Sequence, residues 1–205
     1  MKRREFLKQS AATLLSLSML SLGCSSTNAA NNIEKQAVNN EVSKDISNNG
    51  KKILIAYFSW SGNTKAVAEE IHRQVGGDII EIVPENPYSR IQKEASARTR
   101  AEQAAKARPA ITTKIAAFNK YDIIYLGYPN WCSSMPMPVA TFIDTYNTSG
   151  KKVAPFFTHG GGGVQRCMID LQERAKNANF TDYLLLPGSS ARNAQNEIKN
   201  WLAKI

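Results

Sequence analysis

An apolar run, Ile53-Leu54-Ile55-Ala56-Tyr57-Phe58, passes directly into Ser59-Trp60-Ser61-Gly62-Asn63-Thr64 and then into a segment where Val67, Ile71 and Val75 recur every four residues. A buried strand, a short polar loop and a helix with one apolar stripe therefore follow in that order. The first N–H groups of such a helix lack intrahelical partners and carry the positive end of its dipole, so residues 59–64 form a ready site for a phosphate. Ser59, Ser61 and Thr64 offer hydroxyls, Asn63 an amide, and Gly62 lets the backbone approach a ligand without a Cβ in the way. The same residues also suit an ordinary strand-to-helix turn with Thr64 as N-cap. The loop lacks the Gly-x-x-x-x-Gly-Lys-Ser/Thr of triphosphate loops and the Gly-x-Gly-x-x-Gly of dinucleotide folds, which disfavours both of those cofactors.

Short apolar strands alternate with helical segments through the rest of the chain. Strands are expected at 52–58, 79–83, 123–128, 152–158 and 183–186, and helices at 64–75, 90–107, 138–146, 163–175 and 191–203, with Gly76-Gly77 ending the first helix. This alternation predicts an α/β/α sandwich around a five-stranded parallel sheet, for which 2-1-3-4-5 is a common doubly wound order. In that order the loops after strands one, three and four meet at the carboxyl edge of the sheet, where ligands bind. The second loop, Tyr128-Pro129-Asn130-Trp131-Cys132-Ser133-Ser134-Met135-Pro136-Met137-Pro138, supplies an aromatic plate on a proline-stiffened backbone. The third, Thr158-His159-Gly160-Gly161-Gly162-Gly163, allows positive φ and close approach of peptide N–H groups to a flat ring, although a plain surface loop has the same composition.

Residues 59–64 resemble the FMN-phosphate loop of flavodoxins, Ser/Thr-x-Ser/Thr-Gly-x-Thr, which holds its phosphate without a countercharge. Together with Gly-Tyr-Pro-Asn-Trp after the third strand and Pro-Phe-Phe-Thr-His-Gly-Gly at the fourth, the resemblance to the flavodoxin-like family spans essentially all of 51–205. It implies a flavodoxin-like fold and FMN as cofactor. Carried over by residue, Ser59, Ser61, Gly62, Asn63 and Thr64 hold the phosphate. Pro129, Asn130 and Trp131 line one side of the ring, and Thr158, His159, Gly160 and Gly161 reach its pyrimidine end. The tyrosine that usually stacks on the ring after strand four is missing here, which leaves Trp60, Trp131 or Tyr128 for that role. His159 is the candidate to relay a proton; its other reading is to orient its own loop. The function implied is electron transfer or oxidoreduction, as carrier or enzyme, with a redox partner protein or a small quinone-like substrate. A different class is a flavin-free binding lipoprotein that keeps the fold, against which the intact phosphate loop argues.

Ahead of this domain, Lys2-Arg3-Arg4-Glu5-Phe6-Leu7-Lys8 precedes an apolar stretch that ends at Gly23-Cys24. The pattern looks like an export signal, residues 1–24, with a twin-arginine-like motif and a lipobox-like site for lipidation of Cys24. The stretch is too short to cross roughly 30 Å of hydrocarbon as a helix rising about 1.5 Å per residue. Residues 25–50, rich in Asn and Ser, read as a disordered tether between a membrane surface and the domain at 51–205. The expected location is therefore periplasmic or the outer face of the membrane. Of the chain's formal charge of +9, about +7 belongs to 51–205, where flavodoxins are characteristically acidic. The cations are scattered rather than interleaved with aromatics, which, with export, disfavours nucleic acid. Two histidines and three widely spaced cysteines suggest no metal site, and nothing in the spacing sets the Cα distance that a Cys132–Cys167 disulfide requires.

Overall fold

The computed structural model describes residues 50–205; the expected export segment with Cys24, and the tether up to residue 49, lie outside the described residues. Among the described residues there are six strands and five α-helices. They are β1 (Ile53–Tyr57), α1 (Asn63–Val75), β2 (Asp78–Glu81), α2 (Gln92–Ala104), β3 (Ile123–Pro129), α3 (Met137–Thr145), β4 (Lys152–His159), α4 (Cys167–Arg174), β5 (Asn179–Phe180), β6 (Leu184–Pro187) and α5 (Gln195–Leu202). The sheet runs β2-β1-β3-β4-β5, with β6 also paired to β4, and every pairing is parallel. This is the flavodoxin-like order 2-1-3-4-5 with helices on both faces.

Alternation along β1 explains the two cores. Leu54, Ala56 and Phe58 join a cluster with Ala95 of α2, Phe142 of α3 and Leu171 of α4, while Ile53, Ile55 and Tyr57 join Val67 and Ile71 of α1 and Ile198 of α5. Val67, Ile71 and Val75 are all buried, as their spacing predicts. A sheet covered on both faces cannot alternate apolar with polar, which is why its central strands are apolar throughout.

The fifth strand is interrupted, in contrast to the single strand expected at 183–186. Asn179–Phe180 pairs with Lys152 and Val153, and Leu184–Pro187 pairs with Phe156 through His159. Pro155 accounts for the gap. The carbonyls of Lys151, Val153 and His159 accept from the fifth-strand side, so Pro155 faces that side and has no N–H to give. Asp182, in the gap, instead turns its carbonyl to the Trp201 indole N–H at 2.9 Å.

Two helices begin later than composition suggests. Gly163 (φ 70) and Gln165 (φ 44) are left-handed, so α4 cannot start until Cys167. The chain after Pro187 makes two tight turns, Ser190 N to Pro187 O and Asn193 N to Ser190 O, before α5. The long connection after β2 returns along its free edge, where Pro84 bridges Ile111 and Thr112 N donates to Val83 O at 2.8 Å.

Candidate functional site

Gly62, with φ 88, is the N-cap of α1 and supplies no side-chain cap. The reading of Thr64 as N-cap is therefore replaced: the helix starts at Asn63, behind Gly62, whose left-handed conformation costs a non-glycine side chain about 1–2 kcal/mol. Ser59 Oγ accepts from Lys65 N at 3.2 Å, and its own proton stays available. Ser61 is exposed and Asn63 half-buried, both at the positive end of the helix dipole. Thr64 is buried, and its hydroxyl meets that of Thr158 at 2.8 Å. Thr158 is thus a strut between the loops after β1 and β4.

The loop after β3 joins them. Asn130 N donates to Thr158 O at 2.7 Å, and Asn130 Nδ2 donates to Gly163 O at 2.6 Å and to Gln165 Oε1 at 2.9 Å. Among the described residues, Asn130 Oδ1 is the buried side-chain oxygen or nitrogen left without a partner. A buried acceptor in that state costs about 1–3 kcal/mol, so the site asks for a donor. His159 turns Nδ1 toward Gly161 N, which donates to it at 3.0 Å, and so orders its own loop. Neither Gly160 nor Gly162 has a positive φ or a neighbour that a Cβ would crowd. Nothing in the fold itself demands glycine at those two positions.

Two tryptophans face the same region. Trp131 sits in a tight turn closed by its mutual hydrogen bonds with Ser134, and Cys132 (φ 51) and Ser133 (φ 69) both take the left-handed conformation there. Gln103 Nε2 holds the turn from α2 by donating to Trp131 O at 2.9 Å. Trp60 donates from Nε1 to Ser89 O at 2.9 Å, and the two indoles lie 5.9 Å apart at 36°. Tyr88 packs on Trp131 at 4.7 Å while its hydroxyl donates to Glu102. Burial and the Glu102 carboxylate push that phenol's pKa up, so it stays neutral. Glu102 and Arg98, which stacks over Tyr88 at 4.1 Å, thus brace the tryptophan platform. Tyr128 is removed from the stacking candidates: it is fully buried, with its hydroxyl donating to Cys167 O at 2.9 Å. Pro129 pairs in register with Thr158 at the strand ends. Cys132 and Cys167 are both free thiols.

Sequence reasoning missed a fourth contributor, the loop after β6. Gly188 N donates to His159 O at 2.8 Å, and a Cβ on Gly188 would stand 2.4 Å from Asn63 Nδ2. Arg192 Nη2 lies 3.5 Å from the point where a Gly62 Cβ would be. No local motif marks either residue; only the sheet order places them. A separate groove of about 780 Å³ between α2, α3 and α4 touches Cys132 and Ser134 and none of the residues at 59–64 or 158–163.

The family model for flavodoxin matches residues 52–205. This chain belongs to the flavodoxin family. Among solved structures it is similar to a flavoprotein candidate from Bacteroides eggerthii, at 33% identity over 75% of this chain and 96% of that one, with a TM-score of 0.66. A second, from Bacteroides uniformis, gives 31% identity over 76% and 99%, with a TM-score of 0.67. A flavoprotein from Lactobacillus acidophilus, solved in complex with FMN, gives 28% identity over 74% and 98%, with a TM-score of 0.58. A comparison with curated proteins gives no match.

Proposed function

We propose that this flavodoxin binds FMN in the loop cluster and serves electron transfer or oxidoreduction outside the cytoplasm. The observation that carries the reading is the head of α1, where the left-handed Gly62 leads into the helix with no side-chain cap on its first N–H groups, and Ser59, Ser61 and Asn63 flank it in the chain. The FMN complex of the Lactobacillus relative supports the same cofactor. The residues fit: Asn130 Oδ1 is an acceptor in need of a donor, and the pyrimidine edge of a flavin carries an imide N–H.

Bound FMN supplies one- and two-electron chemistry, and the protein supplies position and field. Ser59, Ser61, Gly62, Asn63 and the backbone of Thr64 would hold the phosphate. Asn130 would meet the pyrimidine edge, and Pro129 with Trp131 would line one side of the ring. Trp60 is half-buried and can offer a flat apolar face, backed by the buried Trp131. His159, ordered through Nδ1, turns its other ring nitrogen away from that bond and so can donate from Nε2. The loops at 59–64, 129–136 and 159–165 contain no Asp or Glu, so no carboxylate there opposes a gain of negative charge in the site.

The N-terminal segment supports delivery across the membrane and anchoring through Cys24, with a redox protein or a quinone-like molecule as partner. A twin-arginine route carries folded proteins, which suits a chain that takes up its cofactor before export. The test is the absorbance spectrum and flavin content of the full chain purified from riboflavin-replete cells. A yellow protein releasing FMN is expected; a colourless one that takes up no FMN would support the flavin-free lipoprotein instead.

A further inference from the structure

Arg192 occupies an electrostatically unfavourable place. Its guanidinium stands beside Gly62, at the positive end of the 13-residue helix α1, where a cation is repelled by the unpaired N–H groups. Among the described residues no carboxylate, carbonyl or hydroxyl accepts from that guanidinium. Arg192 is itself exposed, so its side chain is open to a ligand from solvent, while its backbone is held between Ala191 and Ala194, both buried in the core. The same loop is tied to the site by Gly188, whose N–H donates to His159 O and which packs closely against the Asn63 side chain. An anion bound at the head of α1 would lie within reach of both the helix N–H groups and this guanidinium, which has no protein acceptor of its own among the described residues.

We propose that Arg192 is the countercharge for the FMN phosphate, closing over residues 59–64 from the loop after β6. The inference rests on the FMN reading above and adds to it a cation that the phosphate loop itself lacks. A phosphomonoester near neutral pH carries close to two negative charges, and a guanidinium fork meets two of its oxygens at once. The loop donors then share the anion with a full positive charge rather than with a partial one. This arrangement selects against riboflavin, which has no phosphate, and against FAD, whose phosphate is a diester with a bulky substituent.

The test uses Arg192→Gln and Arg192→Lys in the apoprotein of the full chain. FMN and riboflavin are titrated in parallel, and melting is followed with inorganic phosphate against chloride at matched ionic strength. For Arg192→Gln the Kd for FMN should rise about tenfold or more, as expected for loss of a charge-assisted hydrogen bond. Riboflavin affinity should stay within twofold, and the phosphate-induced rise in melting temperature should shrink. Arg192→Lys should recover part of both effects. A wild-type preference for FMN that persists unchanged in Arg192→Gln overturns the role of Arg192 alone. A wild-type protein with no preference for FMN over riboflavin overturns the reading beneath it.

Discussion

Thr64 and Thr158 lie 94 residues apart in the chain and share a 2.8 Å hydrogen bond between buried hydroxyls. One closes the loop after β1 and the other ends β4, so the bond fixes the spacing of two of the loops that form the site. Thr64→Val keeps the shape but strands the Thr158 hydroxyl away from water, which should cost about 1–3 kcal/mol. Thr64→Val with Thr158→Val removes both hydroxyls and should cost less than the sum of the single changes, a coupling near 1 kcal/mol in urea unfolding. Strictly additive losses would contradict the strut.

Gly188→Ala separates folding from binding. The new Cβ meets the Asn63 amide, the free end of a side chain, at 2.4 Å, so the fold yields there at little cost. Urea stability should change by less than about 1 kcal/mol while FMN affinity falls several-fold, because Asn63 is pushed off its place. Unchanged FMN affinity would remove Asn63 from the phosphate site.

Burial beneath α4, helped by Asp170, pushes the Cys167 thiol up to about 12, and burial raises the Tyr128 phenol well above its ordinary value. In both groups the fold favours the neutral form. Their contribution is therefore complete below the unfolded pKa, near 9 for the thiol, and is lost as pH climbs toward 12. Unfolding free energy should fall from about pH 9 upward, and Cys167→Ala should flatten that fall by about 1.4 kcal/mol per pH unit. Parallel profiles for the two proteins would show that the folded thiol ionises as readily as the unfolded one, so that burial does not raise it.

The strand-loop-helix at 53–75, both core faces and the sheet order were legible in the sequence because each rests on local periodicity and on right-handed crossovers. Three matters were not. A tyrosine at the end of an apolar strand looks the same whether it points at the ligand or, as Tyr128 does, into the core toward Cys167. The break in the fifth strand depends on Pro155, which sits in β4 and interrupts its neighbour rather than itself. Arg192 was invisible for a related reason: its partner Gly62 is brought to it only by the return of the last helix beside the first, and no spacing in the chain encodes that.

The export reading is tested in cells. Replacing Arg3 and Arg4 by lysine should leave the protein in the cytoplasm, and Cys24→Ala should move it from the membrane to the soluble fraction. Wild-type chain that takes up no labelled fatty acid would refute the anchor.

The most direct test of FMN binding through the head of α1 is a parallel fluorescence titration of the apoprotein with FMN, riboflavin and FAD. All three carry the same ring, so any difference between FMN and riboflavin reports the phosphate alone. FMN should bind at least about tenfold more tightly than riboflavin, the scale of one or more charge-assisted hydrogen bonds, and more tightly than FAD. Equal affinity for FMN and riboflavin would contradict the assignment of residues 59–64 to a phosphate.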